Sequence, residues 1–188
     1  MVYTKAALSR LATEVRRELD LSDSVPFDPH AWAEEYGIPF VSLQDLSDAA
    51  EAVGHFVRDR PERWSAALVK NGTGHLVVYN SAHSDVRVRS DLAHEIAHLV
   101  AEHELNAAWM DDARCSGASK PQEKEASELA GALLVPMEAA KAHAIKRRGA
   151  SSLALQYGVS VEMASWRMRV SGGEIIAQRV ARRWATRP

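Results

Sequence analysis

A single cysteine, Cys115, stands among 188 residues, which excludes an internal disulfide framework and accords with a reducing, cytoplasmic setting. No run approaches the roughly 18 apolar residues that a membrane span requires. Met1 to Leu19 is an amphipathic pattern broken by charges, unlike the apolar core of a signal peptide, so a cytoplasmic location and no membrane partner are expected. Glycine and proline are sparse at 10 and 7, which excludes collagen-like and low-complexity chains. Neither sign of charge dominates, because the formal net charge is −2. What remains is an ordinary globular composition, 46% apolar and 26% charged, that rules out disorder and suits one domain or one domain with a small appendage.

The charge is unevenly spread. Residues 1–140 hold 13 of the 23 Lys and Arg but 23 of the 25 Asp and Glu, leaving a basic tail. A solvated basic face is the ordinary reading of such a tail; direct contact with nucleic acid is the rival one.

From Tyr3 onward Leu8, Leu11, Val15 and Leu19 recur at helical spacing and predict an opening amphipathic helix. Asp28 before Pro29 marks the start of a short helix carrying Trp32 and Tyr36, which Gly37 closes. Strands are expected at Ile38 to Leu43, at Ala52 to Arg58, and in a hairpin of Trp64 to Lys70 and His75 to Tyr79 turning at Asn71 to Gly74. Ser90 is the expected cap of a helix reaching about Glu104 with Leu92, Ile96, Leu99 and Val100 on its apolar face. Residues 105–119 read as a loop. Pro121 opens a helix to Leu134, Pro136 starts another, and two helical segments flank Tyr157-Gly158-Val159-Ser160. A last helix from Gly173 to Trp184 has Ile175, Ile176, Val180 and Trp184 as its inner stripe. No internal repeat interrupts this order.

The chemistry concentrates in His94-Glu95-Ile96-Ala97-His98. Imidazoles at i and i+4 share one helix face, with β-carbons roughly 5–6 Å apart, so both rings reach a common Zn²⁺. Glu95 lies about 100° around the helix from His94, where its carboxylate serves as a general base toward an attacking water without ligating the metal. A shuffled chain of this composition contains such a string about three per cent of the time, so context has to support it. The capped amphipathic helix and the preceding strand supply that context.

Catalytic zinc needs a third protein ligand and one open position. Ala101 and Glu104 stand where a metzincin would carry Gly and His, which excludes that subclass. Glu123, Glu125 and Glu128 all lie on the helix after Pro121, whose inner stripe is Ala126, Leu129, Ala130 and Leu133. Periodicity alone does not choose among them. Glu125 borders the stripe one turn before Leu129, Glu128 points further toward solvent and Glu123 lies on the far border near Leu134, so Glu125 is the expected ligand.

The stretch His94 to Val100, followed by Glu123-Lys124-Glu125-Ala126-Ser127-Glu128-Leu129-Ala130-Gly131-Ala132-Leu133-Leu134-Val135-Pro136, resembles the ImmA/IrrE family of zinc metallo-endopeptidases. The glutamate-bearing helix ending in Leu-Leu-x-Pro is the more specific element. Further matches at Trp32 to Pro39, Arg87 to Ala93 and Leu153 to Val170 extend the likeness over roughly residues 28–170. The resemblance implies an α+β, zincin-like fold with a small three- to four-stranded, mainly antiparallel sheet on the HExxH helix and an all-helical C-terminal third. It also implies Zn²⁺ as cofactor, Glu95 as base, Glu125 as third ligand beside His94 and His98, and a protein substrate that is a helix-turn-helix transcriptional repressor. The organisation expected is residues 1–27 as an N-terminal helix and linker, 28–140 as the metallopeptidase core, and 141–188 as a helical subdomain with a helix-turn-helix-like segment. Residues 1–27 provide only one helix, so the N-terminal helix-turn-helix domain of some family members is missing from this pattern.

Other candidates have plainer readings. His103 follows His98 by five residues, a spacing that turns it away from the metal. His75, His83 and Tyr79 lie upstream, where an edge strand would receive substrate or a side chain would stabilise an oxyanion. Cys115 reads as an incidental loop thiol and Asp91 as a complement to the helix dipole. Trp166, Met163 and Met168 read as packing. The rival functions are a DNA-binding module, with Arg167 and Arg169 presented by the second helix of a helix-turn-helix, and a metal-bound scaffold that sequesters its partner without cleavage.

Overall fold

The computed structural model describes residues 3–46, 51–103 and 118–185. Among them the order is α1 (Lys5–Glu18), α2 (Pro29–Glu35), β1 (Phe40–Ser42), α3 (Glu51–Gly54), β2 (Ala66–Asn71), β3 (Gly74–Tyr79) and α4 (Asp85–Val100). Five helices follow: α5 (Lys120–Leu134), α6 (Met137–Ile145), α7 (Ala150–Tyr157), α8 (Val161–Val170) and α9 (Gly173–Ala185). The class is α+β, consistent with a zincin-like domain. The chain divides into two units, one of Met1–Lys5 with Asp28–Ala130 and the other of Ala6–Phe27 with Gly131–Pro188.

In the first unit Asp28 caps α2 by accepting the His30 N–H at 2.9 Å, and Gly37 takes the left-handed φ of +64° that reverses the chain into β1. The sheet has the order β1-β3-β2. β1 runs parallel to β3, with Phe40 opposite Val77, while β2 and β3 form the expected antiparallel hairpin, turning at Gly72 with φ +61°. Among the described residues the sheet is therefore three-stranded and mixed, with the antiparallel β2–β3 pairing the longer of its two ladders. The strand expected at Ala52 to Arg58 is helical: α3 leads into a π-helical turn over His55–Asp59, closed by Arg60 N–H to His55 O at 2.8 Å. Val53 and Val57 are four residues apart, a helical spacing, and the Phe56 carbonyl is taken by the Asn80 side-chain amide at 2.8 Å instead of by a ladder.

α4 packs on β2 and β3. Its fully buried Leu92 and Ile96 each contribute about 1.5–3 kcal/mol of apolar burial. The helix begins at Asp85 after an extended Ser84, not at the expected Ser90. Its first turn, Asp85 to Arg87, is exposed and carries no apolar stripe, so periodicity alone starts the helix too late.

In the second unit Ser160 caps α8 by accepting the Met163 N–H at 3.1 Å, and Gly158 takes φ +61° between α7 and α8, as the Tyr-Gly-Val-Ser turn suggests. α9 packs on α6 and α8. Its expected inner stripe is not all inside, because Ile175 is 55% and Val180 46% exposed. An amphipathic period locates an apolar face without saying how much of it a neighbour covers. Met168 is buried, in keeping with a packing role.

Candidate metal centre

His94 and His98 sit one turn apart on α4, and the residue from α5 that meets them is Glu123. Each of the three offers one donor atom, and these atoms all lie within 4.8 Å of one another. His94 Nε2 stands 3.2 Å from His98 Nε2 and 3.2 Å from Glu123 Oε2, while His98 Nε2 is 3.5 Å from Glu123 Oε1. Tetrahedral donors at about 2.0–2.1 Å from a zinc ion are about 3.3–3.4 Å apart, so this set has the span and the nitrogen and oxygen chemistry of a zinc site. His98 is 3% exposed and Glu123 31%, so the centre is closed behind His98 and open on the glutamate side.

Glu125, the expected ligand, is placed elsewhere: Oε2 lies 3.2 Å from His103 Nε2, and Oε1 accepts the Tyr3 N–H at 2.8 Å. Residues 123 and 125 are about 200° apart on a helix, so only one can face α4's histidines. Glu123 precedes buried Ala126 and Ala130 by three and seven residues, and that spacing was the signal for it. Glu128 is buried rather than solvent-facing and pairs with Lys5 at 3.1 Å.

Burial raises the Glu95 carboxyl to about 7, with Glu123 and Asp91 adding to the rise and His94 and the Leu68 N–H opposing it. Val77 donates its N–H to Pro39 O at 2.9 Å on the β1 side, so its ladder partner Leu68 points outward from the edge of β2, where its N–H reaches Glu95. Burial lowers His98 to about 4, helped by the neighbouring His94. Burial acts the same way on His94, but the hydrogen bond to Glu123 and the charges of Glu95, Glu123 and Asp91 outweigh it and raise the imidazole.

Glu102 has φ +51°, and the chain folds back there, with Glu102 N–H to Leu99 O at 3.0 Å and His103 N–H to His98 O at 3.0 Å. His103 does not join the three donors. Its Nδ1 meets His98 Nδ1 at 3.0 Å, a contact that helical extrapolation misses because the helix has ended. His83 is occupied structurally: Nε2–H donates to Pro61 O at 2.8 Å, and Nδ1 stands 3.4 Å from Asp91. Asp91 is raised by burial against the pull of His83 and Arg87. Tyr79 and His75 are half-buried on β3, with Tyr79 packing edge-on to His30 at 6.1 Å. Cys115 lies outside the described residues. Arg167 is fully buried and its Nε–H donates to Val135 O at 3.0 Å, so it presents nothing to a phosphate. Arg169 is exposed.

Two imidazoles and a carboxylate around one point, with a second carboxylate beside them, have the donors and spacing to hold a metal ion, on a fold consistent with a zincin-like domain. The chain belongs to the peptidase M78 family, described as the IrrE N-terminal-like domain, whose profile matches residues 33–169. No curated protein and no solved structure matches it.

Proposed function

We propose that this protein is a zinc-dependent endopeptidase of the cytoplasm that cleaves a helix-turn-helix transcriptional repressor. The observation that carries the reading is the spacing of His94 Nε2, His98 Nε2 and the Glu123 carboxylate, each 3.2–3.5 Å from the others, with Glu95 beside them. These three residues would hold the ion. When bound, zinc supplies a Lewis acid that polarises a peptide carbonyl and acidifies a water.

The chain's own residues do the rest. Glu95, with its carboxyl near 7 in the metal-free site, takes a proton from the attacking water and returns it to the leaving amine. The Leu68 N–H holds that carboxyl in place. The outward edge of β2 supports a peptide substrate, because Ala66 and Lys70 share the parity of Leu68 and present backbone groups for strand addition. The choice of a repressor follows the resemblance of the two motif helices to the ImmA/IrrE family. Among the described residues no helix is long and apolar enough to cross a membrane.

The test is zinc content by elemental analysis, together with cleavage of a purified helix-turn-helix repressor followed by mass spectrometry. Wild type should carry one zinc and produce discrete fragments, and His98→Ala should carry none. Cleavage that survives chelation, or zinc that survives His98→Ala, would sink the reading. An intact repressor beside cleavage of other proteins would remove the repressor alone.

A further inference from the structure

Behind the three donors runs a line of buried polar atoms that the site itself does not use. His98 Nδ1 meets His103 Nδ1 at 3.0 Å, His103 Nε2 meets Glu125 Oε2 at 3.2 Å, and Glu125 Oε1 accepts the Tyr3 N–H at 2.8 Å. The side chains of His98, His103 and Glu125 are 3%, 3% and 6% exposed, so water does not offer substitute partners.

With both imidazoles neutral, the direction of every proton in this line follows from its end. A carboxylate only accepts, so His103 Nε2 must carry the proton it gives to Glu125. The neutral His103 ring then has a lone pair on Nδ1, which accepts from His98 Nδ1–H. A neutral His98 protonated on Nδ1 keeps its lone pair on Nε2, the atom that faces His94 and Glu123. We propose that Glu125 and His103 are positioning residues that impose the Nδ1–H tautomer on His98 and thereby keep its Nε2 lone pair available to a divalent metal ion. The inference rests on His98 being a ligand. The backbone supports it as well: the left-handed Glu102 is what turns His103 back over His98.

Glu125→Gln is the discriminating variant, because it keeps size and shape while reversing the line. The Tyr3 N–H holds the amide oxygen, which turns the amide NH₂ toward His103 Nε2. His103 then protonates on Nδ1, and His98 moves its proton to Nε2. His103→Phe removes the link altogether. Lys5→Ala, which cuts the neighbouring pair with Glu128, alters the same helix without touching the line.

The experiment records ¹⁵N shifts of the His98 ring in metal-free, labelled full-length protein, and measures zinc affinity by competition with a fluorescent chelator. Wild type and Lys5→Ala should show His98 protonated on Nδ1 and bind zinc equally. Glu125→Gln should show the reversed tautomer, and both it and His103→Phe should bind zinc about 10- to 100-fold more weakly. A wild-type His98 protonated on Nε2, or a Glu125→Gln protein with unchanged tautomer and affinity, overturns the relay while His98→Ala still abolishes binding. If His98→Ala binds zinc normally, the ligand assignment has failed and the relay fails with it.

Discussion

In the second unit the buried charges are arginines whose donors are directed at backbone carbonyls. Arg16 Nη1 donates to Leu133 O at 2.7 Å and Nη2 to Ser22 O at 2.7 Å and Val25 O at 2.5 Å, while Arg167 Nε donates to Val135 O at 3.0 Å. Leu133 and Val135 lie at the C-terminal end of α5, where carbonyls lack helical partners and the dipole favours a cation. In the first unit groups that titrate face one another, with only His98 of the three donors buried: His94, His98 and Glu123, with Glu95 close by. A guanidinium stays charged at any ordinary pH, so its burial fixes structure. Imidazoles and carboxylates in mutual contact have their proton affinities pushed apart, and that readies them for a cation or a proton transfer.

The largest effect should separate chemistry from stability. Glu95→Gln should lower peptide cleavage by about 10²- to 10⁴-fold while zinc content stays at the wild-type level. Rates and elemental analysis on one preparation check it, and an active variant would end the contrast between the units.

Arg16→Met should cost roughly 2–4 kcal/mol in urea denaturation, because the buried Leu133 carbonyl and the part-buried carbonyls of Ser22 and Val25 lose their donor. That cost should be the same at pH 5 and pH 8, and a strong pH dependence would count against a purely structural arginine.

The first unit should behave in the opposite way. The folded Glu95 carboxyl is raised from 4.5 to about 7, so the stability of the metal-free protein attached to this proton is full below pH 4.5 and is lost as pH rises through 7. Glu95→Gln, which cannot ionise, should therefore gain on wild type by up to about 3 kcal/mol at pH 8 and by almost nothing at pH 4. Denaturation in chelator at both values measures the difference, and equal gains at the two pH values would remove the burial argument.

Smallest is Gly131→Ala, which normally favours a helix by about 1 kcal/mol. Here the added Cβ would lie 2.4 Å from Trp166 Cζ3, so a net loss of about 1 kcal/mol is expected in thermal or chemical unfolding. A gain would mean that the Trp166 ring yields freely.

Much of this was legible in local pattern. Asp28 before Pro29, the Gly72 turn, Ser160 as cap and the His94 to His98 spacing act through neighbours within a turn, and those interactions do not depend on the rest of the chain. The misreadings had a common cause. Residues 52–58 resemble a strand until Asn80, 24 residues after Phe56, takes a carbonyl that a ladder would need. Arg167 resembles a groove-reading side chain until its donor is found on Val135 O, 32 residues away in sequence.

By itself, then, the sequence determined that two imidazoles share a helix face with a carboxylate next to one of them, because 3.6 residues per turn leaves no other outcome. Which glutamate meets them was decided in three dimensions. Glu123 and Glu125 differ by half a turn on one helix, and their roles depend on how α5 is rotated about its axis, which is set by the packing of residues such as Ala126 and Leu129. His103 was decided there too, since a single left-handed residue after the end of α4 sends its ring back to His98.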